Sequence, residues 1–389
     1  MRNTAYDVVV FGATGYTGRL VAEYMGQRFA SGLRWALAGR SLEKLATVRA
    51  ELGLGDIPLI QADGDDAQSL AALARQTKVV LTTVGPYQLY GEKLVAACAA
   101  EGTDYVDLCG EPAWMRAMID AHAAAAQASG ARIVFSCGFD SIPFDLGVLK
   151  LQSEAKARFG RPCARVRGRV RQMVGTFSGG TMASLKATMA AAAVDPKVIG
   201  LLRSPFALTP GFEGPEQPHG MSPMQDEALG GLWVAPFVMA PINTKNIHRS
   251  NALLGHAYGQ DFVYDEMLVT GPGEKGEAIA KHVANDRSMM SPDGPKPGEG
   301  PTKEERDAGS YDLLFLGHTA DGQSLKVAVK GDKDPGYGST SKMIAEAAAC
   351  LAQDELATPG GVWTPAPAMG EALMRRLEAH AGLSFQVEP

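Results

Sequence analysis

The stretch VVVFGATGYTGRLVAEYM, residues 8–25, joins a β-branched run to three glycines at GxxGxxG spacing (Gly12, Gly15, Gly18) and then to an apolar helical pattern. That order predicts a strand, a tight turn and a helix. Gly12 permits the turn, Gly15 lets the backbone approach a diphosphate, and Gly18 allows close packing of helix on strand. Free N–H groups and the helix dipole at such a turn favour an anion. Gly12, Ala13, Thr14, Gly15, Tyr16, Thr17 and Gly18 are therefore the expected cradle of a dinucleotide. A lone glycine pattern is weak evidence, so the residues around it decide.

The alternation continues downstream. After the first strand at 7–11, short apolar runs at 34–38, 58–62, 79–84, 104–108 and 132–136 predict five more, with helical patterns between them. Ser41, Asp65 or Asp66, and Pro112 supply helix starts, and Gly53 and Gly130 supply stops. This predicts an α/β fold whose N-terminal Rossmann domain, a doubly wound parallel sheet, spans residues 1–138. After residue 150 the rhythm changes. Proline-rich segments at 204–224 and 291–310 read as surface loops, and between and after them come strand-like runs at 311–319 and 324–331, joined by an Asp321-Gly322 turn. With a further run at 164–174 and a helix at 180–194, they predict a second, α+β domain with a mostly antiparallel sheet over 139–335. Residues 336–389 form a C-terminal segment that opens with a capped helix at 338–354.

Bulk properties exclude several classes. A chain of 389 residues that is 46% hydrophobic can bury two cores, and a net charge of −6 argues against nucleic-acid binding. Five widely spaced cysteines without a CxxC disfavour a disulfide framework and a zinc site. The start of the chain lacks a signal-peptide pattern, so a reducing cytoplasm is expected. The uncharged stretch 228–244 is shorter than the ~20 residues that span a bilayer and is broken by Gly230, Gly231, Pro236 and Pro241. It reads either as buried core or as the wall of a pocket for an acyl or isoprenoid chain, and peripheral membrane contact stays open. Scattered histidines and the lack of a GxSxG element speak against a metal centre and a hydrolase.

The second strand ends in LAGRS, where an NAD enzyme usually has an acid for the ribose 2′-hydroxyl. Arg40, Ser41 and Lys44 instead offer cations and a hydroxyl to a 2′-phosphate, which favours NADP(H); the bland alternative is a solvated helix start. Ligands of open α/β sheets bind at the C-terminal ends of the strands. Asp63 is expected near the adenine, and Thr83, Val84, Gly85 and Pro86 near the nicotinamide ribose or as plain turn residues. Cys109 and Glu111 follow the fifth strand, and Cys137, Asp140 and Ser141 follow the sixth, all reaching that edge.

Six stretches carry a family resemblance: VFGATGYTGRLVAEY, LAGRSLEKL, VGPYQLYGEKLVAACAAEGTDYVDLCGE, CGFDSIPFDLG, GEGPTKEERDAGS and PGYGSTSKMIAEAAACL. Together they resemble the saccharopine dehydrogenase-like oxidoreductases, in particular the bacterial group that includes the trans-acting enoyl reductases. The resemblance covers nearly the whole chain and is weakest from about 195 to 290. It implies a substrate domain inserted before a C-terminal segment that returns to the Rossmann domain, NAD(P)H-dependent reduction, and a homodimer through the antiparallel sheet. None of the ten tyrosines has a lysine four residues later, so the YxxxK pair of short-chain dehydrogenases is absent.

Hydride transfer to a polarised double bond needs a placed nicotinamide, a donor for the developing enolate or alkoxide, and a proton source. Tyr87 is the first candidate for a hydroxyl facing substrate, against a packing role. Asp140 is the second, either catalytic or shaping the cofactor site, while Ser141 and Asp145 are explained by capping and the dipole of the next helix. Arg165, Arg167, Arg169 and Arg171 alternate along one strand, as a solvated face or as a landing site for an anionic carrier, coenzyme A or a lipid headgroup. The expected function is NADPH-dependent reduction of an activated C=C bond in a hydrophobic or carrier-linked substrate. The alternatives are oxidoreduction of an amino-acid-derived secondary amine and a non-catalytic NADP(H) sensor or scaffold.

Overall fold

The structure, a computed structural model, describes residues 4–176, 178–288, 296 and 298–389. Strands β1 (Tyr6–Phe11), β2 (Trp35–Gly39), β3 (Leu59–Gln61), β4 (Thr77–Thr82), β5 (Asp104–Val106) and β6 (Arg132–Val134) form a parallel sheet in the order 3-2-1-4-5-6. Helices cover both of its faces: α1 (Tyr16–Arg28), α2 (Leu42–Glu51), α3 (Ala67–Arg75), the single turn α4 (Tyr87–Tyr90), α5 (Glu92–Glu101) and α6 (Pro112–Ser129). Burial on both faces is why β1 and β4 carry unbroken apolar stretches, Val8–Phe11 and Val79–Leu81, and not alternating ones. Local signals act as read. Ser41 accepts from the Lys44 N–H, Asp66 accepts from the Gln68 N–H, and Gly130 ends α6 with a left-handed backbone.

Helix α7 (Ile142–Phe159) leads from this sheet to a second one. The strands are β7 (Arg165–Val174), β8 (Met224–Asp226), β9 (Leu232–Pro236), β10 (Val263–Gly271), β11 (Ser310–His318) and β12 (Ser324–Gly331). Pairing is antiparallel except between β7 and β10, which run parallel because a long crossover joins them. That crossover carries α8 (Gly179–Val194), α9 (Pro196–Arg203) and α10 (Ala240–Leu253), and α11 (Gly273–Asn285) follows β10. Of the loop expected at 291–310, residues 291–295 and 297 lie outside the described residues, and Lys303–Ala308 form a short helix, α12, closed by a Thr302–Glu305 capping box.

The C-terminal segment serves both sheets. Helix α13 (Thr340–Gln353) packs on α1, β1 and β4, and β13 (Gly361–Trp363) adds a seventh parallel strand beside β6. Helix α14 (Pro365–Arg376) packs on α7, and β14 (Leu383–Glu388) pairs with β12. One apolar core runs from Val8, Val10 and Leu81 through Met343 and Phe144 to Phe315 and Val327, so the two sheets share a single interior. The other face of the first sheet packs Val9, Leu94, Met115 and Ile133 beneath α3, α5 and α6.

The arginine ladder of β7 is neither a solvated face nor a free cationic patch. Arg165 pairs with Asp265, Arg169 with Asp226 and Asp265, and Arg171 with Asp312 and Glu388, while Arg167 meets His318. Arg169 is only 3% exposed. Carboxylates from four other strands neutralise Arg165, Arg169 and Arg171, which leaves Arg167 without a carboxylate partner among the described residues and weakens the case for an anionic landing site there.

Candidate functional site

At the C-terminal edge of the first sheet, β1 turns into α1 through Gly12, whose φ of +96° a side chain would resist. A Cβ on Gly12 would meet Val84 Cγ2 at 2.6 Å, and one on Gly18 would meet the Gly12 carbonyl oxygen at 2.1 Å. Gly15 occupies the N-cap of α1, and no side chain caps that end. The first turn holds no acid. Its N–H groups therefore face outward over exposed Thr14 and Gly15, with Ala13 buried beneath, which fits a dinucleotide diphosphate. The Tyr16 hydroxyl donates to the Pro301 carbonyl (2.5 Å), so the segment before α12 crosses beside the turn.

Arg40 and Lys44 are exposed after β2, and among the described residues no carboxylate is paired with either. The Ser41 oxygen already caps α2. Asp63 is exposed at the end of β3, and its carboxylate accepts the Asp65 N–H at 3.0 Å. Thr83 donates its hydroxyl to the Gly12 carbonyl (3.4 Å), tying β4 to the glycine turn.

A cavity of about 350 Å3 opens beyond this edge. Thr17, Thr83, Gly85, Gly110, Phe139 and Asp140 form its floor, α8 supplies Thr181, Ser184, Leu185 and Thr188, and Tyr337 and Thr340 close one side. Leu202, Val238, Met239, Pro241 and Ile242 add apolar wall. Part of the 228–244 stretch thus lines the cavity, whereas Val234 and Phe237 are core. Val84 sits against Gly12, and Pro86 is buried outside the lining.

Asp140 carries the unusual chemistry. Asp140 lines the cavity, and burial raises its carboxyl from 3.8 to about 7. Across the cavity the Tyr337 hydroxyl takes the Ser178 N–H and bonds the Thr181 hydroxyl at 3.0 Å, so Thr181 is held in one orientation. The sequence reading missed Tyr337, Thr181 and Ser184. The available signal was a tyrosine between two glycines just past a strand, in PGYGS.

The surroundings of Tyr87, Cys109, Cys137 and Ser141 differ from those expected. The Tyr87 hydroxyl accepts the Leu108 N–H (3.0 Å) and lies 3.4 Å from the Thr82 carbonyl, and burial pushes its phenol well above the ordinary value. Tyr87 lines the cavity and packs its ring against Trp114, while its hydroxyl is engaged by backbone groups. Cys109 and Cys137 are fully buried behind the cavity, where desolvation drives both thiols up. Glu111 caps the preceding helix α4, accepting the Tyr87 and Gln88 N–H groups at 2.9 and 2.8 Å. Ser141 holds the N-cap position of α7 but turns its hydroxyl to Asn243 and Asn246 of α10 instead of capping, whereas Asp145 lies in the first turn of α7 as expected and also accepts from Ser250 and from the Ala366 N–H at the start of α14. Asp107, unnoticed in the sequence, ties the β5 and β6 exits together through the Cys109 and Ser136 N–H groups.

Comparison with known proteins agrees with this geometry. Residues 8–134 match the saccharopine dehydrogenase NADP binding domain. Apo saccharopine dehydrogenase from Saccharomyces cerevisiae shares the fold, with a TM-score of 0.55 over 99% of this chain and 100% of its own at 12% identity. The NADP-binding family match, borne on the glycine turn, and the relatives that follow make the chain an NADP(H)-binding, NAD(P)-dependent oxidoreductase. Trans-acting enoyl reductases of Mycobacterium tuberculosis and Mycobacterium leprae are each 38% identical to the chain over 96% of its length and 95% of theirs. The chain belongs to the saccharopine dehydrogenase-like oxidoreductases, with the trans-acting enoyl reductases among its relatives. Among the described residues no helix is long and apolar enough to cross a membrane, and no cluster could hold a metal ion.

Proposed function

We propose that the protein reduces the activated C=C bond of an enoyl thioester whose acyl group is hydrophobic or carrier-linked. The observation that carries this reading is the composition of the cavity wall: among the described residues Glu111 and Asp140 are its only carboxylates, and it includes no Arg, Lys or His. An amino-acid-derived substrate brings carboxylates that need a cation, so this wall suits an uncharged acyl group better than a saccharopine-type amine.

When bound, NADPH supplies the hydride that adds to the substrate β-carbon. In this reading the glycine turn holds the diphosphate, Arg40, Ser41 and Lys44 the 2′-phosphate, and Asp63 the adenine end. Thr83 and Gly85 position the nicotinamide side. Asp140 delivers its proton to the α-carbon, so that one hydride and one proton saturate the bond. The Thr181 and Ser184 hydroxyls face the thioester oxygen as its negative charge develops. Burial supports the role of Asp140, because a carboxyl raised to about 7 keeps a large protonated fraction near neutral pH, which an ordinary aspartate does not. The test is NADPH oxidation against enoyl thioesters, 2-oxo acids with amines, and quinones. Turnover confined to enoyl thioesters is expected. Turnover of the amine pair alone would overturn the reading, and cofactor binding without any turnover would favour a sensor.

A further inference from the structure

Helix α8, GGTMASLKATMAAAAV, carries one charged residue, yet it buries only Gly179 and Met182. Thr181, Ser184, Leu185 and Thr188 of α8 line the cavity at helical spacing. The same row continues to Met189, one turn past Leu185 and about 12 Å of helix beyond Thr181. Met189 is 48% exposed. On α9, Leu202 lines the cavity, and Ile199, one turn earlier, is 37% exposed. Val238 belongs to the wall and is 46% exposed, so it marks the mouth. The apolar members of the wall, Leu185, Leu202 and Val238, thus lead towards exposed Met189 and Ile199 on α8 and α9, alongside the Thr181, Ser184 and Thr188 hydroxyls.

We propose that this row is the exit groove for the aliphatic chain of the substrate, with Met189 and Ile199 setting the preference for long acyl groups. The inference rests on the enoyl-thioester reading of the cavity. Continuity with the wall identifies the occupant as the tail of the molecule already bound there. Size supports this as well: about 350 Å3 is at the small end of ligand sites, so the cofactor's reactive end and a thioester leave little room for a long chain inside.

The test measures binding of saturated N-acetylcysteamine thioesters, from butanoyl to hexadecanoyl, to the NADP-loaded protein by calorimetry, alongside turnover of the matching 2-enoyl thioesters. Affinity should rise about two- to fourfold per methylene as the chain covers the groove, then level off. Met189→Asn and Ile199→Asn, both at exposed positions, should each lower the hexadecanoyl-to-butanoyl affinity ratio about tenfold. An affinity independent of chain length would overturn the groove while leaving reduction of short enoyl thioesters intact. Length-dependent binding without turnover of any enoyl thioester would uphold the groove and sink the reduction reading. If the two variants instead weaken binding to anionic phospholipid vesicles and leave the ratio unchanged, the face is a membrane contact and the proposal fails.

Discussion

Replacing Asp140 by Asn should make the protein more stable at alkaline pH and nearly inactive. In the folded protein burial moves this carboxyl from 3.8 to about 7, so its ionised form is disfavoured. The associated stability is present below about pH 4 and is lost as pH rises through about 7. At 1.36 kcal/mol per pH unit, ionising it in place costs at most about 4 kcal/mol. Asn removes that cost, so the thermal midpoint of Asp140→Asn should exceed that of the native protein by several degrees at pH 8, by less near pH 5, and match it only below about pH 4. The rate should respond in the opposite sense. Native kcat/KM should fall above about pH 7 as the proton source ionises, and Asp140→Asn should lose about a hundredfold or more with a flat profile there. Thermal melts and NADPH-oxidation kinetics across pH 5–9 read both effects. A variant with the same melting difference at both pH values and an unchanged rate profile would refute the argument.

Arg40→Asp should shift the preference from NADP towards NAD by about tenfold to a hundredfold, because a charged hydrogen bond to the 2′-phosphate is lost and repulsion takes its place; titration of both cofactors checks this. Gly18→Ala drives a Cβ into the Gly12 carbonyl oxygen. It should cost about 1–3 kcal/mol and abolish saturable NADPH fluorescence enhancement even where the protein still folds. Tyr87→Phe strips the partly buried Leu108 N–H of its acceptor. It should lower stability by about 1–3 kcal/mol while kcat changes less than about threefold, since this hydroxyl does not serve the substrate.

The first sheet was legible because each of its signals is local. Ser41, Asp66 and Gly130 act within four residues of where they stand, and parallel strands covered on both faces announce themselves as apolar runs. Strands β13 and β14 were not legible: the first is only three residues long, and both depend on partners far away in sequence. The 228–244 stretch has no single period because it divides into β9, a turn and the start of α10. The arginine row was visible in the sequence, but its neutralisation was not, since the acids come from β8, β10, β11 and β14.

The site follows the same division. The glycine turn and the strand exits could be read along the chain, whereas the direction of a side chain just past a strand could not. Cys137 therefore turned inward and Asp140 outward within one loop. Tyr337 and Thr181 meet only because α8 and the entry to α13 fold over the same strand edge, about 160 residues apart in sequence.

The most direct measurement follows label from NADPH deuterated at the transferred C4 position into a 2-enoyl thioester, with product analysis by mass spectrometry and NMR. Reduction as described places one deuterium at C3 of the saturated acyl product, and in deuterated solvent with unlabelled NADPH it places one at C2. NADPH consumed without a saturated product, or label absent from C3, would contradict hydride delivery to the β-carbon.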